Sequence, residues 1–107
     1  MNKGDWTFLT NHGRVLVYVA KHPLTTAREM AQVAGITERT VQKIVADLVR
    51  GGYMVAHRQG RCNRYTVHPE RPMRHDMERA FAVGDLMKSL GCELEGKAGL
   101  WRSRDVE

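Results

Sequence analysis

No apolar run in this chain approaches the ~20 residues needed to span a bilayer, and its start lacks the basic, apolar and small-residue pattern of an export signal. The expectation is a cytoplasmic protein with no membrane partner. Cysteine is scarce, with Cys62 and Cys92 far apart and no Cys-x-x-Cys, so two free thiols are expected rather than a disulfide framework. The histidines His12, His22, His57, His68 and His75 contain no i, i+4 pair. Neither a zinc site nor a catalytic constellation can be built from such spacing, although His68 with His75 leaves room for a distributed site. A phosphate-cradling glycine loop and a serine nucleophile motif are also missing. The chain is therefore read as a non-enzyme without a metal or cofactor.

What is present is enough for a core and unevenly charged. A hydrophobic content of 42% in 107 residues suits one compact domain with an appended element. The net charge is +5, but residues 1–36 hold four basic and two acidic side chains, residues 37–75 eight and three, and residues 76–107 five and seven. The positive excess thus lies in the middle of the chain, as expected where phosphates are to be neutralised.

That middle has a legible helical grammar. Thr26 and Glu29 form a capping box, so a helix should begin near Ala27, and Gly35 should end it in the left-handed conformation. Thr37 offers a second N-cap. Val41, Ile44, Val45 and Leu48 then fall at i, i+3, i+4 and i+7, a stripe that must be buried, which turns Arg39, Lys43, Ala46 and Arg50 outward with Gln42 on the flank. Upstream, Val15-Leu16-Val17-Tyr18-Val19-Ala20 could by propensity be a strand, but Thr10 or Asn11 as cap and Pro23 as stop favour a helix over residues 11–22. Trp6 and Phe8 just before it could pack on the domain or on a partner chain. Downstream, residues 53–58 and 64–67 read as strands around Gln59-Gly60-Arg61-Cys62-Asn63, a hairpin tip.

The run Arg28-Glu29-Met30-Ala31, the turn Ala34-Gly35-Ile36-Thr37, the segment Arg39-Thr40-Val41-Gln42-Lys43-Ile44-Val45-Ala46-Asp47-Leu48 and the following Gly52-Tyr53-Met54-Val55 resemble the winged helix-turn-helix regulators of MarR-like and ArsR-like type. The resemblance covers roughly residues 10–70. It implies a mainly α fold of order α-α-α-β-β, with the second helix of the pair in a DNA major groove and the hairpin, the wing, on the neighbouring backbone or minor groove. The clustered cysteines of metal-sensing ArsR-like members are absent here. Winged helices also serve as protein-binding modules, so the fold does not by itself settle the partner.

Under this reading residues 1–70 form the DNA-binding domain. Arg39, Thr40, Gln42 and Lys43 would contact the groove from a helix capped by Thr37, Thr25, Thr26 and Arg28 would touch the backbone, and Arg58, Arg61, Asn63 and Arg64 would form the wing contact. The wing arginines, with no acidic residue among them, would also serve an edge hairpin that must stay soluble. Cys62 beside Arg61 and Arg64 is either an incidental thiol or a redox-sensitive one.

Residues 71–91 are expected to hold a C-terminal dimerisation helix over 75–90, whose apolar arc is too broad for one contact. Met77, Phe81, Val83, Leu86, Met87 and Leu90 would meet a second subunit, or the helix would only cap its own core. Residues 92–107 read as a loose tail that Leu100 and Trp101 could anchor.

The resulting expectation is a homodimeric, sequence-specific regulator of double-stranded DNA on an inverted repeat. An interaction module in a larger complex and a repressor responsive to a ligand or to redox state are the alternatives. A small-molecule effector has no motif in its support.

Overall fold

The computed structural model describes residues 6–93, which form seven elements: α1 (Asn11–Lys21), β1 (Leu24–Thr25), α2 (Ala27–Ala34), α3 (Glu38–Arg50), β2 (Met54–Gln59), β3 (Cys62–Val67) and α4 (Val83–Ser89). Local chemistry sets the helix ends. The Thr10 hydroxyl accepts from the Gly13 amide at 3.1 Å to start α1, and the ring of Pro23 cannot continue it. Thr26 and Glu29 complete both halves of the capping box of α2, and Gly35 closes that helix at φ +74°, a backbone state that carries no penalty only without a Cβ. Thr37 caps α3 through the Thr40 amide at 3.0 Å.

The apolar run of α1 folds as a helix because it is surrounded. Val15, Leu16 and Val19 are buried, while Val17, Tyr18 and Ala20 are half-buried and pack against the same core. Val41, Ile44 and Leu48 of α3, Met30 and Ala31 of α2, and Tyr53, Met54 and Tyr65 of the hairpin close around them. A helix contacted on several sides needs no polar face, so β propensity loses to burial.

β3 is the central strand of a three-stranded antiparallel sheet of order β1-β3-β2. It pairs with β2 from Met54↔Val67 to Gln59↔Cys62, and with β1 through Leu24↔Arg64 and Thr25↔Asn63. The connection is two residues long, with Gly60 at φ +65° in its first position, the place that a type II′ hairpin turn reserves for glycine. The strands therefore run closer to the tip than residue types suggest, and Cys62 and Asn63 belong to β3. A helix, a short strand, two further helices and a hairpin, in this order, make a winged helix-turn-helix fold.

The C-terminal segment corrects one expectation. Residues 75–90 are not a single helix: Glu78 and Arg79 donate to the His75 carbonyl in one isolated turn, and Pro72 and Ala82 pair as an antiparallel bridge. Only Val83–Ser89 is helical, started by the Asp85 carboxylate accepting from the Ala82 amide at 3.1 Å. Val83 and Met87, expected to meet a second subunit, are instead buried in the chain's own core together with Cys92. Leu86 is half-buried, whereas Met77, Phe81 and Leu90 are exposed.

Two substitutions test this packing. Met87→Ala, at 0% exposure, should lower unfolding free energy by about 2–5 kcal/mol. Met77→Ala, at 86% exposure, should stay within about 0.5 kcal/mol in the same urea titration.

Candidate nucleic-acid interface

Burial of the Val41, Ile44 and Leu48 stripe leaves Glu38, Arg39, Gln42, Lys43 and Ala46 exposed along the other side of α3. The cap adds a directed hydroxyl. Thr37 Oγ1 accepts the Thr40 amide and gives its own proton to Thr40 Oγ1 at 2.9 Å, so the Thr40 hydroxyl keeps its hydrogen for an outside acceptor. Arg50 is differently placed. Its Nη2 pairs with Asp47 Oδ1 at 2.6 Å, and Asp47 Oδ2 in turn meets His12 Nε2 at 2.8 Å. This bond ties the first turn of α1 to the last turns of α3, and it holds the Asp47 carboxyl below the ordinary aspartate range, with Arg50 and Lys43 assisting.

The helix before the turn departs from the expected contacts at one residue. Thr25 is 1% exposed and sits in β1, where its hydroxyl donates to Glu29 Oε1 at 2.8 Å. It braces α2 from inside and is not available to a backbone phosphate. Thr26, bonded to the Glu29 amide at 3.1 Å, is half-buried, and Arg28 is exposed. The Thr25 hydroxyl, followed by the Thr26 amide, lowers the Glu29 carboxyl below its usual value.

On the wing the strand register separates the arginines. Arg58 pairs with Asn63 on the face that carries buried Tyr65, while Arg64 pairs with His57 on the opposite face. Each is braced: Arg58 Nε donates to the Gly60 carbonyl at 3.1 Å, and Arg64 Nε to Gln59 Oε1 at 3.1 Å. Asn63 Nδ2 donates to the Tyr65 hydroxyl at 3.4 Å. Arg61 stands exposed in the turn itself, so the hairpin carries a cation at its tip and one on each face. The fold thereby presents Arg39, Thr40, Gln42 and Lys43 on α3 and Arg58, Arg61 and Arg64 on the wing, and it removes Thr25 from that set.

Two features of this region have no local signal in the sequence. The strand β1 is only two residues long, and the His12–Asp47 bond joins positions 35 apart. Among the described residues no group of three His, Cys, Asp or Glu side chains is placed to hold a metal, and no helix is long and apolar enough to cross a membrane.

No family model matches the chain, and the search of curated proteins found no match. Among solved structures, IscR of T. potens superposes with a TM-score of 0.50 at 17% identity, covering 98% of this chain and 78% of that one. CymR (YrzC), the global cysteine regulator of B. subtilis, gives 0.47 at 21% identity over 94% of this chain and 86% of that one. The likeness to IscR is one of fold, in agreement with the winged helix-turn-helix arrangement.

The two carboxylates give a pH prediction. Both are depressed in the folded chain, so each adds stability that is fully present above the unfolded carboxylate value, about pH 4, and is lost as pH falls through the lower folded value. Glu29→Gln combined with Asp47→Asn should therefore flatten the decline of Tm with pH below about 4. Thermal scans between neutral and strongly acidic buffer read this, and a decline parallel to that of the unaltered chain would count against the two bonds as sources of stability.

Proposed function

We propose that this chain is a sequence-specific double-stranded DNA-binding transcriptional regulator that acts as a homodimer on an inverted repeat. The observation that carries the reading is the exposed outer face of α3, with Arg39, Gln42 and Lys43 projecting from a helix whose other face is locked in the core, beside a hairpin with Arg61 at its tip. A helix of this width fits the major groove, where Arg and Lys suit guanine acceptors and Gln suits adenine. Thr40, with its free hydroxyl hydrogen, suits a phosphate oxygen. Thr26 and Arg28 lie one helix away and suit the backbone, as do Arg58 and Arg64, held by their own hydrogen bonds at the flanks of the wing.

The resemblance to MarR-like and ArsR-like regulators rests on the motifs of residues 28–55 and supports the same assignment. Two copies follow from the size of the module: one small domain offers a limited interface, and two on half-sites about one helical turn apart give both affinity and palindromic specificity.

Selection from a random duplex library, followed by titration of the winner and a scrambled duplex at two salt concentrations, tests the proposal. An inverted repeat should be enriched. Arg39→Ala and Gln42→Ala should each cost about 1–3 kcal/mol on the selected site and relax preference at a single base position. Arg61→Ala should weaken all duplexes alike and reduce the slope of log affinity against log salt by about one. Absence of enrichment, with weak and purely salt-dependent binding, would turn the reading toward an acidic protein partner.

A further inference from the structure

Between Leu24 and Val67 the acidic side chains are Glu29, Glu38 and Asp47. Two of them are consumed inside the fold. The Glu29 carboxylate accepts from the Thr25 hydroxyl at 2.8 Å and from the Thr26 amide at 3.2 Å, and Asp47 is held by His12 at 2.8 Å and by Arg50 at 2.6 Å. Glu38 is treated differently. It stands exposed in the first turn of α3, and among the described residues its carboxylate has no hydrogen bond or ion pair. The helix offers it no cation, because the residues three and four positions on are Val41, which is buried, and Gln42, which is uncharged. The cap does not need it either, since Thr37 satisfies the Thr40 amide with its own hydroxyl.

The position of this bare carboxylate gives it a consequence. A reading helix meets base edges with its N-terminal residues, and Glu38 stands one turn before Gln42 on the same flank of α3. Beside the phosphates of a duplex an anion there is costly unless a donor takes it. The bases differ sharply in what they offer. In the major groove guanine presents the acceptors N7 and O6, thymine presents O4, and adenine sets the acceptor N7 beside its N6 amine, whereas cytosine presents the N4 amine alone. A carboxylate can only accept, so cytosine is the one base that meets it without an opposing lone pair. The helix dipole also favours an acidic residue at this end, but that contribution is indifferent to base sequence.

We infer that Glu38 is a specificity-determining residue, which accepts from a cytosine amine in the major groove and rejects thymine and guanine at that position. The inference rests on the DNA-binding reading above and deepens it. Arg39, Gln42 and Lys43 supply attraction, and Glu38 supplies discrimination by weakening every duplex that has no amine to give it. The other two carboxylates of this region cannot do the same, because their oxygens are already spoken for within the chain.

The test runs the duplex selection on the full chain, on Glu38→Ala and on Glu38→Gln side by side, then titrates the selected duplex with each base pair exchanged in turn. The unaltered chain should enrich cytosine at one position, where thymine should cost at least about fivefold in affinity. In Glu38→Ala that preference should fall below about twofold, and a scrambled duplex should bind more tightly than it binds the unaltered chain. In Glu38→Gln the same position should turn toward adenine, which a glutamine amide meets at both N6 and N7. A side chain that serves only the helix end would lower Tm and weaken all duplexes alike with every preference left in place, and that result overturns the inference. So does a selected site whose preferences neither substitution moves. An unaltered chain that enriches no sequence removes the DNA-binding reading itself, so the two failures are told apart.

Discussion

The orientation of α3 depends on one constraint, the removal of Val41, Ile44 and Leu48 from water against Val15, Leu16 and Val19 of α1. Each such side chain contributes about 1.5–3 kcal/mol on burial, so rolling the helix by even one position would forfeit several at once. Everything that faces outward is fixed by this choice. Arg39, Gln42 and Lys43 are exposed because their neighbours one turn away cannot be, and no separate device is needed to aim them. The Thr37 and Thr40 hydroxyls and the His12–Asp47 bond secure the two ends of a helix whose rotation is already decided.

The hairpin obeys a different rule. Its twist and tip come from a two-residue turn with Gly60, and its side-chain directions come from strict alternation. β2 pairs with β3 along its whole length, and β1 holds the other edge at Arg64 and Asn63 through Leu24 and Thr25. Such a strand can carry charged side chains far from the core without fraying. Tyr65 anchors its inner face at 4% exposure, two residues from Asn63 and four from Arg61. The basic tip is thus a projection from a sheet seated on α1 and not a free loop.

How much was legible followed the range of the interactions. Thr26 with Glu29, Gly35 and Thr37 act within a few residues, and each marks a boundary that the chain adopts. Thr25 departs from its local signal: a threonine before a helix suits a backbone contact, whereas its pairing with Asn63, far along the chain, buries it in the sheet. The stretch from His75 onward has helical spacing and still forms a single turn. The Met73 amide bonds to the Phe81 carbonyl and the Val83 amide to the Arg71 carbonyl, so strand-like pairing claims the backbone before a helix can propagate. Spacing alone points Val83 and Met87 at a second subunit for the same reason: periodicity reveals that a face must be covered, but it does not say by what.

Cys92 turns this closing segment into its own reporter. The thiol is buried in the core just after α4, its Sγ 3.9 Å from the Val17 carbonyl, and burial pushes its pKa up, so it is both shielded and short of thiolate. A thiol so enclosed meets an alkylating reagent only through an opening that parts it from α1. The rate of Cys92 alkylation is therefore a local gauge of how firmly the end of the described chain is held against α1.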